Sequence, residues 1–279
     1  EGQSSGNLVA ELDEVGFGYD SPLIENFSTR IMRGDRVGVI GANGSGKTTL
    51  LRLILGELTP QSGTVTLGTR LQTAYFDQQR SRLDARLTVR ESVAEGSDTI
   101  VIGDRSVHVV SYLSDFLFPS SQLNMPVASL SGGEQNRLLM AKLFAQPANM
   151  LVLDEPTNDL DVETLELLEE LLGEFSGTLL LVSHDRVFLD AVVTSTIAFE
   201  SDGGVREYVG GYSDWQRQVR NAQPANARAP DRKPRKRADE SSGNRHQAGK
   251  NLGYQEKREL AALPDRIETL ETNQTMLRA

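Results

Sequence analysis

The sequence predicts an α/β fold in which a parallel sheet carries a phosphate-binding loop. Residues 41–49 fit the pattern G-x-x-x-x-G-K-[ST] and lie between an apolar run at 36–40 and a helical run at 50–55. Two continuous apolar runs, 150–153 and 179–182, are each followed by polar or charged residues. Such runs are typical of buried parallel strands, and a phosphate loop belongs between a strand and a helix. Together these observations predict nucleotide binding.

The loop offers both backbone and side-chain groups to a polyphosphate. Glycines let the chain turn several N–H groups inward, and a helix that begins near Gly46 adds the positive end of its dipole. Lys47 is expected to lie against the β- and γ-phosphates, and the Thr48 hydroxyl to complete the coordination of Mg²⁺. The predicted phosphate-binding residues are Gly41, Asn43, Gly44, Ser45, Gly46, Lys47, Thr48 and Thr49.

Composition narrows the class of protein. The chain has 279 residues, 38% of them hydrophobic, which is enough for a sizeable core. It has no cysteine, so disulfides and Cys-based zinc sites are excluded. No signal peptide and no apolar run of about 20 residues occurs, and we expect a soluble, cytoplasmic protein without a membrane partner. The first residue is Glu rather than Met, which suggests a piece of a longer protein.

Charge is distributed unevenly. The net charge is −10, but residues 1–216 carry 15 basic and 31 acidic side chains, whereas residues 217–279 carry 14 basic and 8 acidic ones. An acidic body followed by a basic tail indicates a polyanionic partner, most often nucleic acid, that the tail engages.

Short alternating patterns predict strands early in the chain, at 8–15, 27–31, 64–67 and 71–76. A loop with an aromatic residue, Tyr19, separates the first two. Tyr19 could stack on a purine ring or cover the edge of the sheet, and composition favours the second interpretation.

The region from Thr88 to Leu117 is predicted to be a mostly helical insertion. Thr88 and Glu91 have the spacing of a capping box, and residues 106–117 have helical apolar spacing. His108 has no companion ligand residues nearby and is interpreted as structural.

The next helix is predicted to run from Ser131 to about Ala145. Ser131 and Glu134 again have capping-box spacing. Gly132 and Gly133 weaken the first turn, since glycine costs about 1 kcal/mol relative to Ala in a helix. We therefore expect an anion to approach the exposed N–H groups there.

Polar residues follow the two buried strands. Asp154 and Glu155 end the first, and His184 lies just after the second. The carboxyl ends of strands are where open α/β sheets bind ligands. Asp161 is expected to cap the following helix, and residues 197–209 to form a hairpin.

The C-terminal part has two predicted regions. Residues 221–251 contain no Ile, Leu, Val, Met, Phe, Tyr or Trp, and are predicted to be disordered. Their basic residues could contact nucleic acid or serve only as a solubilising linker. Beyond them, a heptad pattern indicates a coiled-coil seam, with a plain amphipathic helix as the alternative; its positions are Leu260, Leu263, Ile267, Leu270, Gln274 and Leu277.

The order of these features resembles the ATP-binding cassette (ABC) superfamily: phosphate loop, Gln78 after a strand, Leu-Ser-Gly-Gly-Glu, a strand ending in Asp-Glu, and a strand followed by His. The resemblance covers about residues 8–210, and the tracts at 130–138 and 153–161 are similar to soluble ABC-F proteins. That family usually has His where Asp159 stands here, a departure we expect to be tolerated because this position is not a phosphate ligand.

The resemblance implies an ABC-type P-loop ATPase core with an antiparallel β subdomain and a helical insertion. We assign this domain to residues 8–216, a basic flexible linker to 217–251 and the start of a coiled coil to 252–279.

The resemblance also implies roles for individual residues. Tyr19 would stack on adenine, Asp154 would hold Mg²⁺ through water, and Glu155 would orient or deprotonate the attacking water. Gln78 would sense Mg²⁺ and the γ-phosphate, and His184 would hydrogen-bond that phosphate. In the family, a Ser and a Gly at the positions of Ser131 and Gly133 bind ATP held by another cassette; Gly132 and Asp161 are also assigned to the nucleotide site.

A single cassette therefore carries two complementary half-sites and should need a second one, either a missing N-terminal cassette or another copy of this chain. The favoured function is an ABC-F ATPase acting on ribosomes or other nucleic-acid assemblies. The alternatives are the nucleotide-binding subunit of a transporter, and a DNA-processing ATPase that binds branched DNA through its coiled coil. Transporter cassettes more often carry Gln than Glu after Ser-Gly-Gly and do not usually append a basic linker.

Overall fold

The computed structural model describes residues 5–77, 83–94, 96–102, 105–158, 160–200 and 202–222. Its strands are β1 (Leu8–Gly18), β2 (Pro22–Met32), β3 (Arg36–Ile40), β4 (Ser62–Leu67), β5 (Thr73–Asp77), β6 (Thr99–Ile102), β7 (Arg105–His108), β8 (Met150–Asp154), β9 (Thr178–Val182), β10 (Ser195–Phe199) and β11 (Val205–Val209). Its helices are α1 (Lys47–Ile54), α2 (Val89–Ala94), α3 (Val109–Asp115), α4 (Gly132–Ala145), α5 (Val162–Glu174), α6 (Arg186–Val192) and α7 (Tyr212–Ala222), with a 3-10 turn at Val127–Ser129.

A six-stranded sheet holds the elements that the apolar runs predicted. Its order is β11-β10-β3-β9-β8-β5, and β10, β3, β9, β8 and β5 pair in parallel. β11 pairs antiparallel with β10 in the predicted hairpin. Because β3, β9 and β8 are neighbours, the segments that follow their carboxyl ends meet at one edge of the sheet.

The central strands are buried on both faces, which explains their continuous apolar sequence. In β8, Leu151 and Leu153 pack into a core shared with α2 to α6, whereas Met150 and Val152 pack into a second core with α1, β1 and β2. Residues of β9 alternate in the same way. Fully burying one such side chain stabilises the fold by roughly 1.5–3 kcal/mol, so the strands that carry the site are firmly held.

The predicted antiparallel β subdomain is confirmed as a three-stranded sheet of order β2-β1-β4. β1 reaches Gly18 and β2 begins at Pro22, so the loop expected around Tyr19 is only a three-residue turn. The register pairs Gly18 with Pro22 on one side of β1, and Gly16 with Ser62 of β4 on the other.

The insertion differs from the prediction of a mostly helical region. Thr88 and Glu91 do form the predicted capping box at the start of α2. Residues 99–102 and 105–108, however, pair as an antiparallel hairpin, so residues 106–108 are strand rather than helix. The β-branched run at 99–102 favours a strand, and His108 Nδ1 accepts the Val110 N–H at 3.2 Å, which starts α3 only at Val109. His108 thus has the structural role that was expected.

The last described helix, α7, continues to Ala222 and therefore crosses the boundary we drew after residue 216. The predicted basic linker beyond it and the predicted coiled coil lie outside the described residues. Within the described ranges, none of the helices combines the length and the hydrophobicity that a membrane span requires.

Candidate functional site

The phosphate loop joins β3 to α1 with its backbone open to the cleft. Gly44 and Gly46 have φ values of +77° and +108°, which side-chain-bearing residues rarely adopt. α1 begins at Lys47, and no side chain caps its N-terminus. The first N–H groups of a helix need partners from outside the helix, so this end can receive an anion.

Lys47 lies across its own loop. It is only 9% exposed, and Nζ donates to the carbonyl oxygens of Gly41 at 3.0 Å and Ala42 at 3.1 Å. Nζ also lies 3.4 Å from His184 Nε2, and that ring nitrogen is 2.9 Å from Asn43 Oδ1. Residues of the phosphate loop and the segment after β9 therefore meet around one ammonium group.

Asp154, the last residue of β8, faces the start of α1. Its Oδ2 accepts a hydrogen bond from the Thr48 hydroxyl at 3.1 Å and lies 3.4 Å from the Tyr75 hydroxyl. A carboxylate and a hydroxyl are ligands that suit Mg²⁺, which is usually held by few protein groups together with phosphates and water.

Glu155 has a strained backbone and faces His184. Its φ is +52°, uncommon for a residue with a side chain. Glu155 Oε2 accepts the His184 backbone N–H at 3.3 Å, and Oε1 is 3.2 Å from His184 Nε2. That second pair is a close contact but not a hydrogen bond, and Oε1 is buried without a hydrogen-bond partner among the described residues. Strained conformations of this kind cluster at active sites.

These groups line a cleft of about 790 Å³ that also includes the turn between β1 and β2. Of the predicted site residues, those that line it are Tyr19, Asn43, Gly44, Gly46, Lys47, Thr48, Thr49, Asp154, Glu155 and His184. Tyr19 stands at its rim and is 65% exposed. Gln78, the predicted Mg²⁺ and phosphate sensor, lies outside the described residues.

The residues of the cleft fit a Mg²⁺-polyphosphate. A methyl group placed on Gly44 would meet no atom within 4 Å, so the loop leaves room there. Glu155 Oε1 is buried and lacks a hydrogen-bond partner among the described residues. An orphaned polar atom calls for a ligand or water, and this one belongs to a residue that lines the same cleft as Lys47, Thr48 and Asp154.

The signature turn, residues 131–134, does not line this cleft. Ser131 and Glu134 form the predicted capping box of α4: the Glu134 carboxylate accepts the Ser131 N–H and hydroxyl, both at 2.8 Å, and Ser131 Oγ accepts the Glu134 N–H at 3.3 Å. These bonds from the Ser131 backbone and hydroxyl, with one from Gln122, hold the pKa of Glu134 below its usual value.

Asp161 stands beside this turn. Its Oδ1 accepts the Thr164 N–H at 2.8 Å and caps α5, as predicted. Its Oδ2 would lie 3.2 Å from a methyl group on Gly133, and is 3.7 Å from Arg137 Nη1. Ser131, Gly132, Gly133 and Asp161 thus form a second surface, separate from the cleft.

Behind the phosphate loop lies a smaller cavity of about 260 Å³. Gly41, Ala42 and His184 line one side, and Tyr212 and Trp215 of α7 line the other. Arg186 stacks over the Tyr212 ring at 4.9 Å. Trp215 Nε1 is buried and has no hydrogen-bond partner among the described residues. The last described helix therefore touches the rear of the phosphate site.

Sequence reasoning missed some contributors to the site. Tyr75, which reaches Asp154, and Asn158, which lines the cleft, were not singled out. Ser183 was also missed; its Oγ lies 3.2 Å from Thr157 Oγ1 and accepts the Asp185 N–H. The strand-end position of Tyr75, two residues before Asp77, was the only available signal for it.

The chain is similar to known proteins of one family. A family described as ABC transporter matches residues 24–158. The protein Uup of Haemophilus influenzae is 47% identical over 283 residues, covering 99% of this chain and 44% of that relative. The chain belongs to the ATP-binding cassette family. Within it, the cassette is Uup-like and of the ABC-F type, as its sequence motifs indicated.

The cassette spans less than half the length of that relative, and the alignment extends over residues beyond the described ones. The energy-dependent translational throttle protein EttA of Haemophilus influenzae is 42% identical over 216 residues, covering 77% of this chain and 39% of EttA. A solved dimeric ATP-binding cassette in a post-hydrolysis state, bound to ADP and Pi, is 25% identical with a TM-score of 0.55, and covers 72% of this chain and 98% of its own.

Proposed function

We propose that this cassette binds Mg²⁺·ATP and hydrolyses it to ADP and phosphate. The observation that carries the proposal is the meeting of five groups in one cleft: Lys47, Thr48, Asp154, Glu155 and His184. Phosphoryl transfer needs positioning and charge stabilisation more than covalent chemistry. A lysine, two carboxylates and a histidine at the N-terminus of a helix meet that need.

Each group has a distinct task in this proposal. The loop N–H groups and Lys47 bind the phosphates, and Thr48 with Asp154 holds Mg²⁺, directly or through water. Bound Mg²⁺ supplies positive charge against the phosphate oxygens. Glu155 orients the attacking water and accepts its proton, and His184 hydrogen-bonds the terminal phosphate. Gln78 keeps its proposed sensing role on the resemblance alone.

We further propose that Tyr19 stacks on the adenine base. Its ring stands at the rim of the cleft, beyond the phosphate loop, and is largely exposed. An exposed aromatic ring next to a polyphosphate site gives the base a face to stack on.

A second cassette completes the reaction in this proposal. Ser131, Gly133 and Asp161 lie together on a surface that does not line the cassette's own cleft. They would therefore contact ATP held by a facing cassette, on another copy of this chain or on a longer polypeptide. The related solved cassette is described as dimeric, which is consistent with this arrangement.

The nucleotide assignment is tested by titrating Mg²⁺·ATP into the wild type and Lys47→Ala. Losing a charge-assisted hydrogen-bond donor should weaken binding by about 10- to 150-fold. Lys142→Ala, at an exposed lysine of α4, is the matched control and should bind like the wild type. Equal affinity in all three proteins would refute the assignment.

We propose that the polyanionic partner is the ribosome, engaged through the basic tail. The support is the excess of basic residues in 217–279 and the similarity to a protein named as a translational throttle. The test is co-sedimentation with ribosomes against retention on branched DNA, with and without residues 223–279. Preferential retention on branched DNA would favour the DNA-processing alternative instead.

A tail variant of unchanged length tests whether binding depends on the positive charge of the tail. It neutralises five clustered positions: Arg232, Lys233, Arg235, Lys236 and Arg237. Binding should weaken and depend less steeply on salt, because each lost phosphate contact lowers the number of counterions released. Equal salt slopes for both proteins would show that the segment is only a spacer.

A further inference from the structure

The residue before Tyr19, Gly18, fixes the position of the turn that carries the Tyr19 ring. Gly18, the last residue of β1, is buried, and a methyl group there would lie 2.4 Å from the Ser21 carbonyl oxygen. The ring of Phe17 meets the Tyr19 ring edge to face, with centroids 5.2 Å apart and planes at 87°. The direction of the Tyr19 ring therefore depends on how Gly18 is held.

Gly18 is held by the side chain of Gln61. Gln61 Oε1 accepts the Gly18 N–H at 3.1 Å, and Nε2 donates to the Gly18 carbonyl oxygen at 2.7 Å. The backbone N–H of Gln61 donates to the carbonyl oxygen of Gly16 at 2.9 Å. One carboxamide thus satisfies both polar groups of a buried residue, in the manner of a strand partner.

The sequence explains why a side chain is needed. β1 pairs with β4 as far as Gly16 and Ser62, and the same register would set Gly18 opposite Pro60. Proline has no N–H and cannot donate to the Gly18 carbonyl. The Gln61 carboxamide replaces the missing rung, and leaving both Gly18 groups unpaired in a buried position would be costly.

We infer that Gln61 is a positioning residue for the nucleotide base. It does not line the phosphate cleft; it acts through Gly18 and sets the Tyr19 ring at the rim of that cleft. The inference rests on the proposed stacking of Tyr19 on the base. It assigns to Gln61 the part of nucleotide affinity that depends on the base, and none of the part that depends on the phosphates.

The experiment compares two probes, Mg²⁺·ATP and Mg²⁺·tripolyphosphate, which has no base. Gln61→Leu is close in size and removes both hydrogen bonds. It should weaken ATP binding by about 2- to 10-fold, the value of the aromatic contact that is no longer positioned, and leave tripolyphosphate binding unchanged. Gln61→Glu keeps an acceptor for the Gly18 N–H and should give an intermediate loss for ATP.

Two further variants separate positioning from general damage. Gln218 of α7 also donates to a backbone carbonyl, that of Val209 at 2.8 Å, but does not line the cleft. Gln218→Leu should therefore bind both probes like the wild type. In a Tyr19→Ala background, Gln61→Leu should have almost no additional effect on ATP binding, because the ring that it positions is gone.

The outcomes distinguish the two claims. If Tyr19→Ala leaves the ratio of the two affinities unchanged, the stacking role of Tyr19 fails, and with it the basis for the inference. If Tyr19→Ala weakens ATP binding selectively but Gln61→Leu does not, the proposed function stands and the inference fails. Gln61 would be only a structural residue if Gln61→Leu weakened the binding of both probes equally. The same conclusion would follow if Gln61→Leu weakened ATP binding as much in the Tyr19→Ala background as in the wild type.

Discussion

Two helices of the cassette have glycines at their N-terminal turns, and they begin in different ways: the glycines precede α1, whereas Gly132 and Gly133 form the first turn of α4. α1 follows Gly46, whose backbone has a φ of +108°, and no side chain caps its first turn. α4 follows Ser131, which is extended and closes a complete capping box with Glu134. Similar composition thus gives one helix N-terminus that is open and one that is closed by its own side chains.

The difference bears on what each turn can bind. The N–H groups at the start of α1 can bind a phosphate in the conformation observed. At α4, the Ser131 hydroxyl already donates to Glu134 and accepts from its backbone. A phosphate approaching Ser131 has to displace the Glu134 carboxylate, which carries the same sign of charge. The open turn is ready for a ligand, whereas the closed one has to rearrange.

The largest effect is expected for Glu155→Gln, which tests whether the open turn at α1 is sufficient for ATP binding but not for ATP hydrolysis. Glu155→Gln keeps the shape of the side chain and loses its charge. Phosphate release should fall by about 10²- to 10⁴-fold, the usual contribution of a general base, while Mg²⁺·ATP affinity stays near that of the wild type. The measurements are steady-state phosphate release and a direct titration, with Glu163→Gln, at an exposed position of α5, as control.

The same variant should reveal the proposed second cassette, because ATP that is not hydrolysed should stay bound between the two. Sedimentation with ATP should show a nucleotide-dependent pair that is absent with ADP. Hydrolysis at the wild-type rate would remove Glu155 from the catalytic role. Lost hydrolysis without any association, even with a second cassette supplied, would contradict the head-to-tail arrangement.

A pair of glycine variants tests the two turns directly. Gly46→Ala forces a side chain into a backbone conformation that it rarely adopts, and should lower the free energy of unfolding by about 1–3 kcal/mol. Gly132 does not have a left-handed φ and has open space around it, so Gly132→Ala should raise the free energy of unfolding slightly, by up to about 1 kcal/mol. Denaturant unfolding measures both. Two changes of the same sign would show that the turns do not differ as described.

Ser131→Ala removes the side-chain cap of the closed turn alone. Loss of an N-cap should lower the free energy of unfolding by about 0.5–2 kcal/mol. Because the closed turn does not line the cleft, Mg²⁺·ATP affinity of the single cassette should not change. A large loss of affinity would mean that Ser131 contributes to the cleft of its own chain.

The smallest effect is a dependence on pH. The pKa of Glu134 is lowered in the folded state, so its contribution to stability is present above the ordinary glutamate pKa and is lost as the pH falls through the lowered value. Glu134→Gln should therefore be less stable than the wild type at neutral pH, by no more than about 1 kcal/mol at this partly exposed position. The difference should shrink below about pH 4. Urea unfolding across that range measures it, and a constant difference would contradict the assignment.

Much of the fold followed from local patterns. The apolar runs at 150–153 and 179–182 predicted central strands because burial on both faces leaves no room for polar alternation. The capping boxes at Thr88 and Ser131 predicted the starts of α2 and α4. A capping box joins residues only three positions apart, so it can be recognised in the sequence. The hairpin of β6 and β7 was missed for two reasons. Its strands are short and pair only with each other in the described sheets, and β7 overlaps residues 106–117, whose apolar spacing is helical.

The site followed from the motifs only in part. That Lys47, Asp154 and His184 meet depends on β3, β9 and β8 being neighbours, and no local pattern states the order of strands. The φ of Glu155 and the carboxamide of Gln61 across from Gly18 are likewise products of tertiary packing. The missing N–H of Pro60 was a readable signal, but only once the register of β1 and β4 was known.

The position of Trp215 has an experimental consequence. It is the only tryptophan of the chain, and it lines the cavity behind the phosphate loop together with Gly41, Ala42 and His184. Indole emission responds to the polarity and the quenching groups around the ring. We expect the intrinsic fluorescence of the unlabelled protein to change when Lys47 and His184 exchange their mutual contact for a nucleotide. The cassette thus contains its own optical reporter of nucleotide occupancy, at the base of the helix that leads toward the basic tail.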